Sequence, residues 1–81
     1  GDYELAAILI TLAEKGHLTI KEKSKGKYTF IRNNAENKRK LRVYERVLLE
    51  GIFKKGDEVK LKDLKYSFAT TAAKTISELY D

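Results

Sequence analysis

The apolar period changes once near the start of the chain, at Gly16, and that change limits the possible folds more than any other feature. Before it, Leu5, Ile8, Leu9, Leu12 and Ala13 recur at spacings of three and four, which is one stripe of an amphipathic helix. Ala6 and Ile10 widen the stripe, so a well-buried helix is expected, and Asp2 is placed to cap a helix starting near Tyr3. Lys15 followed by Gly16 is a helix stop, a cation in the last turn and then a residue that tolerates positive φ. Beyond it the period is two. His17 to Lys23 alternates with Leu18 and Ile20 on one side, Ser24-Lys25-Gly26 turns, and Lys27 to Arg32 alternates again with Tyr28 and Phe30 inward. A helix therefore runs into a β-hairpin.

The rest of the chain adds three elements. Residues 33–37 read as a loop, with Asn37 placed to cap the next helix. Leu41, Tyr44, Val47, Leu48 and Ile52 form its stripe, and Arg42, Glu45, Arg46 and Glu50 lie off it. Gly51 does not end the pattern, since Ile52 and Phe53 continue it. After a turn at Lys54 to Asp57, Glu58 to Leu61 alternates as a short strand, and Lys62 or Asp63 opens the last helical region. There Leu64, Phe68, Ala72, Ile76 and Tyr80 fall four apart, Leu79 joins them, and a break is expected at Ala69 to Thr71. The order α-β-β-α-β-α predicts a single α+β domain over 1–81, winged-helix-like, with the hairpin as its wing. In the usual arrangement two helices precede the recognition helix and wing; here further helices follow, so the order is permuted or an upstream piece is missing. The expected core is Leu5, Ile8, Leu9, Leu12, Leu18, Ile20, Tyr28, Phe30, Val47, Leu48, Leu64 and Ile76.

Such a core is thin, because 81 residues bury only roughly 60–65% of the unfolded surface. The chain has no cysteine, which excludes a disulfide staple, a thiolate zinc site and cysteine catalysis. A reducing compartment is the corresponding expectation. The longest apolar run, Leu5 to Ile10, is too short to span a bilayer, and no stretch reads as a signal peptide.

Charge is concentrated in one segment. The chain carries a net +5, and residues 21–42 alone sum to +7 while residues 1–20 are net acidic and residues 43–81 cancel. Lys21, Lys23, Lys25, Lys27, Arg32, Lys38, Arg39, Lys40 and Arg42 form the candidate basic interaction surface. Such a surface suits nucleic acid, an anionic lipid surface or an acidic protein. Lysines on an exposed hairpin also keep its edges from pairing with other strands.

Nothing points to catalysis. His17, the single histidine, stands at a helix-to-strand junction with no nucleophile or paired carboxylate at a telling spacing, so its expected role is structural. Gly26-Lys27 lacks the rest of a phosphate loop, and Tyr28 occupies the required Ser/Thr position. Asp57, Glu58 and Asp63 are interleaved with lysines at no metal-binding spacing. No cofactor, metal or small-molecule substrate is expected. A helix that reads the major groove exposes Arg, Lys, Asn or Gln. The first helix is expected to expose Glu4, Ala7, Thr11 and Glu14, so specific DNA reading is disfavoured and only phosphate contact by the wing remains.

The segments Leu5 to Glu22, Tyr28 to Arg32, Tyr44 to Phe53, Val59 to Lys65 and the closing Ile76 to Asp81 together resemble the C-terminal region of the YciQ-like predicted membrane proteins, a bacterial and archaeal group built around a domain of unknown function. The chain departs from that pattern at Thr11, where the family often has Asp, and at His17, where it often has an aromatic. The resemblance implies a longer membrane-anchored polypeptide with this domain on its cytosolic side. It implies no activity, cofactor or catalytic residue. The reading is a non-enzymatic interaction module facing an unknown protein or an anionic membrane; the alternative is a winged-helix nucleic-acid-binding domain using the wing lysines.

Overall fold

A computed structural model describes residues 2–34, 40–64 and 68–80. The fold is α+β, with elements in the order α1 (Asp2–Glu14), β1 (Leu18–Ser24), β2 (Lys27–Arg32), α2 (Val43–Ile52), β3 (Glu58–Lys60), α3 (Leu61–Leu64) and α4 (Phe68–Leu79). The helix α1 ends as its sequence predicts. Gly16 takes φ +87, its N–H donates to the Ala13 carbonyl at 3.0 Å, and the His17 N–H donates to the Leu12 carbonyl at 3.0 Å. Those two bonds satisfy carbonyls that the helix end would otherwise leave open. Gly26 takes φ +77 in the hairpin turn.

The three strands form one antiparallel sheet with β2 in the centre. Leu18 faces Arg32, Ile20 faces Phe30 and Glu22 faces Tyr28 across β1–β2, while Phe30 faces Val59 and Thr29 faces Lys60 across β2–β3. One face of the sheet, through Leu18 and Phe30, packs on Ile8 and Leu12 of α1, Leu48, Leu49 and Ile52 of α2, Phe53 just after it, and Leu64 of α3. Leu5, Leu9, Val59, Phe68 and Leu79 are partly buried around that centre.

Several expectations change. Ile20 and Tyr28 are both 37% exposed, because only the base of the hairpin is covered by helices and its far half projects beyond them. Ala6 and Ile10 are exposed, so α1 is apolar on two sides and buried on one. The helix α2 starts at Val43 with Arg42 as its N-cap, not at Asn37, which lies outside the described residues. Its buried stripe is Glu45, Leu48, Leu49 and Ile52, with Val47 only half-buried. The last helix runs unbroken through Ala69 to Thr71. Tyr80 is 72% exposed and Thr75 is fully buried. The helix α4 thus buries Thr75 fully while Phe68, Ala72, Ile76 and Leu79 are half-buried, and its Thr71 lies against Gly51 of α2. A threonine tolerates the buried position because its Oγ1 donates to the Thr71 carbonyl at 2.8 Å. The approach is close: a Cβ on Gly51 of α2 would lie 2.8 Å from the Thr71 Cβ.

Candidate interaction surface

Period-two alternation fixes the lysine face of the sheet. Leu18, Phe30 and Val59 point to the core, so their neighbours Lys21, Thr29 and Lys60 stand abreast on the face turned away from it. Lys21, Lys23, Lys25 and Lys27 are all exposed. A register shift between Glu22 and Ser24 bends the strand just before the turn. The Glu22 carboxylate accepts the Gly26 N–H at 3.0 Å and so holds the turn. The same carboxylate, accepting the Tyr28 hydroxyl across the strand pair, keeps that phenol above its usual pKa.

The other basic residues do not join this face. Arg32 is half-buried, with its guanidinium 5.9 Å from the centroid of the Phe53 ring, a cation–π distance. Lys40 and Arg42 are exposed at the approach to α2, where the Lys40 carbonyl accepts a hydrogen bond from Lys15 Nζ at 3.4 Å. Lys15 precedes the base of the hairpin, so the Lys40 main chain meets the base rather than the tip. Lys38 and Arg39 lie outside the described residues.

In their place the fold brings Lys60 and Lys62 to the hairpin. With Lys23 and Lys27 they line a hollow of about 390 Å³ that also takes in Ser24 and Thr29. The strand β3 ends at Lys60, opposite Thr29, so among the described residues no third strand pairs with β2 at Lys27 and Tyr28. The alternation Val59 in, Lys60 out was visible in the sequence; its position beside the hairpin was not.

One buried charge holds the base of the hairpin. Glu45 is 1% exposed, its Oε1 lies 2.6 Å from Lys15 Nζ, and the same oxygen accepts the Arg42 N–H at 2.7 Å. Burial pushes its carboxyl up, but the Lys15 ammonium and the Arg42 N–H outweigh it and leave the group below the usual carboxylate range. Its Oε2 is buried with no hydrogen-bond partner among the described residues. His17 is also buried, with its N–H donated to Leu12 and its carbonyl accepting the Asn33 N–H at 3.0 Å, which builds it into the helix-to-strand junction.

The outward side of α1 carries Tyr3, Ala6, Ala7, Ile10 and Glu14. Glu4 and Thr11, expected there, are half-buried: Glu4 accepts the Tyr80 hydroxyl, and Thr11 donates to the Ala7 carbonyl at 3.0 Å. This face is more apolar than expected, and it still presents no Arg, Lys, Asn or Gln. Among the described residues no group of three or more His, Asp or Glu is placed to hold a metal, and no helix is long and apolar enough to cross a membrane. Compared with known proteins, the chain matches no family model, no curated protein and no solved structure.

Proposed function

We propose that this chain is a non-enzymatic interaction module, the cytosolic domain of a longer membrane-anchored protein, which rests on an anionic membrane surface through its hairpin. The observation that carries the reading is the exposed row Lys21, Lys23, Lys25 and Lys27 on a hairpin that projects past the helices. Each such lysine contributes roughly 1 kcal/mol beside an anionic bilayer, and screening restricts this to residues held close. Tyr28 is the one aromatic exposed on the hairpin and its hydroxyl is engaged with Glu22, so contact is electrostatic rather than inserted. Co-sedimentation with phosphatidylglycerol vesicles at low salt tests it. Retention should exceed that on neutral vesicles and fall when Lys21, Lys23, Lys25 and Lys27 are replaced by Gln. Equal retention on both vesicles, or no effect of the replacements, rejects it in favour of a protein partner.

A winged-helix-like relationship is part of the proposal. It is supported by α1 leading through Gly16 into the hairpin, by β3 adding a third strand to β2, and by the Glu4–Tyr80 contact that joins the start of α1 to the end of α4. Nucleic-acid binding by the wing is the rival reading. The outward face of α1, without a base-reading side chain, argues against sequence recognition. A DNA titration across salt concentrations separates the two, since phosphate contacts give a steep log–log slope.

A further inference from the structure

We propose that the notch beside the open edge of β2 is a discrete binding site for a phosphate-bearing ligand, with Lys23, Lys27, Lys60 and Lys62 as its cationic lining. It deepens the reading of the hairpin as a surface for anionic partners and rests on that reading for the sign of the ligand. The two halves of the site come from opposite sides of the sheet's end. Lys23 and Lys27 flank the hairpin turn, and Lys60 and Lys62 follow from the last residue of β3 into α3. The volume of about 390 Å³ falls in the range of roughly 300–1,000 Å³ typical of small-molecule sites.

The chemistry selects a compact, multiply charged anion. No acidic residue lines the hollow among the described residues, while four lysines do, and the single Glu22 carboxylate behind the lining residues Gly26 and Tyr28 offsets only part of their charge. Four like charges held around one hollow repel one another, and an anion placed between them relieves that repulsion. Lysine ammonium groups act as point charges with three donors each and suit the several oxygens of a phosphate. Ser24 adds an exposed hydroxyl, and at Lys27 and Tyr28 the edge of β2 adds main chain with no ladder partner on that side among the described residues. A single carboxylate would leave most of these donors unused.

The site and the diffuse field of the hairpin predict different mutational patterns. Inorganic pyrophosphate, titrated into ¹⁵N-labelled protein at constant ionic strength, should shift the amides of Gly26, Thr29, Lys60 and Lys62 saturably, and sulfate should do so more weakly. The double variant Lys60→Gln, Lys62→Gln should weaken pyrophosphate roughly tenfold or more. The double variant Lys21→Gln, Lys25→Gln removes the same charge outside the hollow and should change the affinity less than about twofold. Equal weakening by the two variants overturns the site, since it means a diffuse field around edge-guarding lysines. All four positions are exposed, and unchanged urea melts show that folding is intact. Vesicles of phosphatidylcholine with phosphatidic acid, or with phosphatidylglycerol at equal surface charge, identify the source of the phosphate. A preference for phosphatidic acid that is lost in Lys60→Gln, Lys62→Gln assigns a lipid headgroup. Saturable pyrophosphate binding without that preference assigns a soluble phosphate compound. Vesicle binding with no pyrophosphate saturation overturns the notch and leaves the membrane reading standing. Pyrophosphate saturation with no vesicle binding does the reverse.

Discussion

The base and the tip of the β1–β2 hairpin share one alternating pattern and differ in everything that pattern usually implies. Leu18 and Ile20 have the same parity on the same strand, yet Leu18 is 1% exposed and Ile20 is 37% exposed. On β2, Phe30 is 4% exposed and Tyr28, two residues nearer the tip, is 37% exposed. The difference lies in what stands opposite. The base has α1, α2 and Leu64 against it; the tip projects past them and holds itself through Glu22, which takes the Gly26 N–H and the Tyr28 hydroxyl. Alternation therefore reports which side a residue faces, and only the neighbouring elements decide whether that side is wet.

The largest test of this contrast is Leu18→Ala, which should cost roughly 2–5 kcal/mol in urea melts, most of what a small domain has. A loss below about 0.5 kcal/mol would show that the base is not the anchored end. Leu9→Ala should cost less than Leu18→Ala, since Leu9 is only partly buried and borders a small apolar hollow of about 130 Å³.

Next in size is Gly51→Ala, which probes the helical layer under the base. Alanine favours a helix over glycine by roughly 1 kcal/mol, so propensity alone predicts a gain. The close approach of Thr71 predicts a loss of about 1–3 kcal/mol from overpacking. Net destabilisation, relieved in part by Thr71→Ala, which still leaves a Cβ at 2.8 Å, and more fully by Thr71→Gly, is the expected outcome. A simple gain would mean that α2 and α4 are less closely set.

Much of the architecture was legible in the sequence, and the parts that were not share a cause. The α1 stop at Gly16, the hairpin, the α2 core through Leu48 and the short third strand all follow from period and turn chemistry. Glu45 lies off the apolar stripe of α2, where a carboxylate belongs on the surface by pattern alone; it is buried because Lys15, thirty residues earlier, reaches it. The hydropathy pattern points to Ile76, yet Thr75 is the fully buried residue, because a side chain that hydrogen-bonds its own helix leaves no mark in such a pattern. The lysine surface was half legible. Lys21 and Lys27 are where the alternation puts them, Lys25 is in the turn and the register shift falls at Lys23; Arg32 turns toward Phe53, and Lys60 and Lys62 enter from a segment whose net charge is zero. In each case the missing information is a long-range contact.

Acid titration sharpens the role of Glu45 at the base. Its folded carboxyl lies below its ordinary value of 4.5, so the stability it contributes is complete above that value and is lost as pH falls through the folded pKa. Urea midpoints measured from pH 7 down to about 3 should therefore drop at the acid end, and Glu45→Gln should flatten part of that drop while lowering the midpoint at pH 7. An unchanged acid limb in Glu45→Gln would assign the drop to other carboxylates.

The smallest expected effect belongs to the tip. Tyr28→Ser removes an aromatic ring that the alternating pattern counts as core, and a core reading predicts a loss of several kcal/mol. The structure predicts a smaller loss of about 1–2 kcal/mol, because more than a third of the residue is already in water and its hydroxyl contact with Glu22 is exposed to screening. Glu22 still holds the turn through the Gly26 N–H, so the hairpin should keep its register, and the amides of Leu18, Phe30 and Val59 should keep their hydrogen-exchange protection. Protection should fall only toward Lys23 to Lys27, where the strands lack a helical cover. If Tyr28→Ser instead costs as much as Leu18→Ala, the tip is folded against the body of the domain in solution. The lysines would then be less free to meet an extended anionic surface, and the notch, which takes Lys23 and Lys27 from the same tip, would change with it.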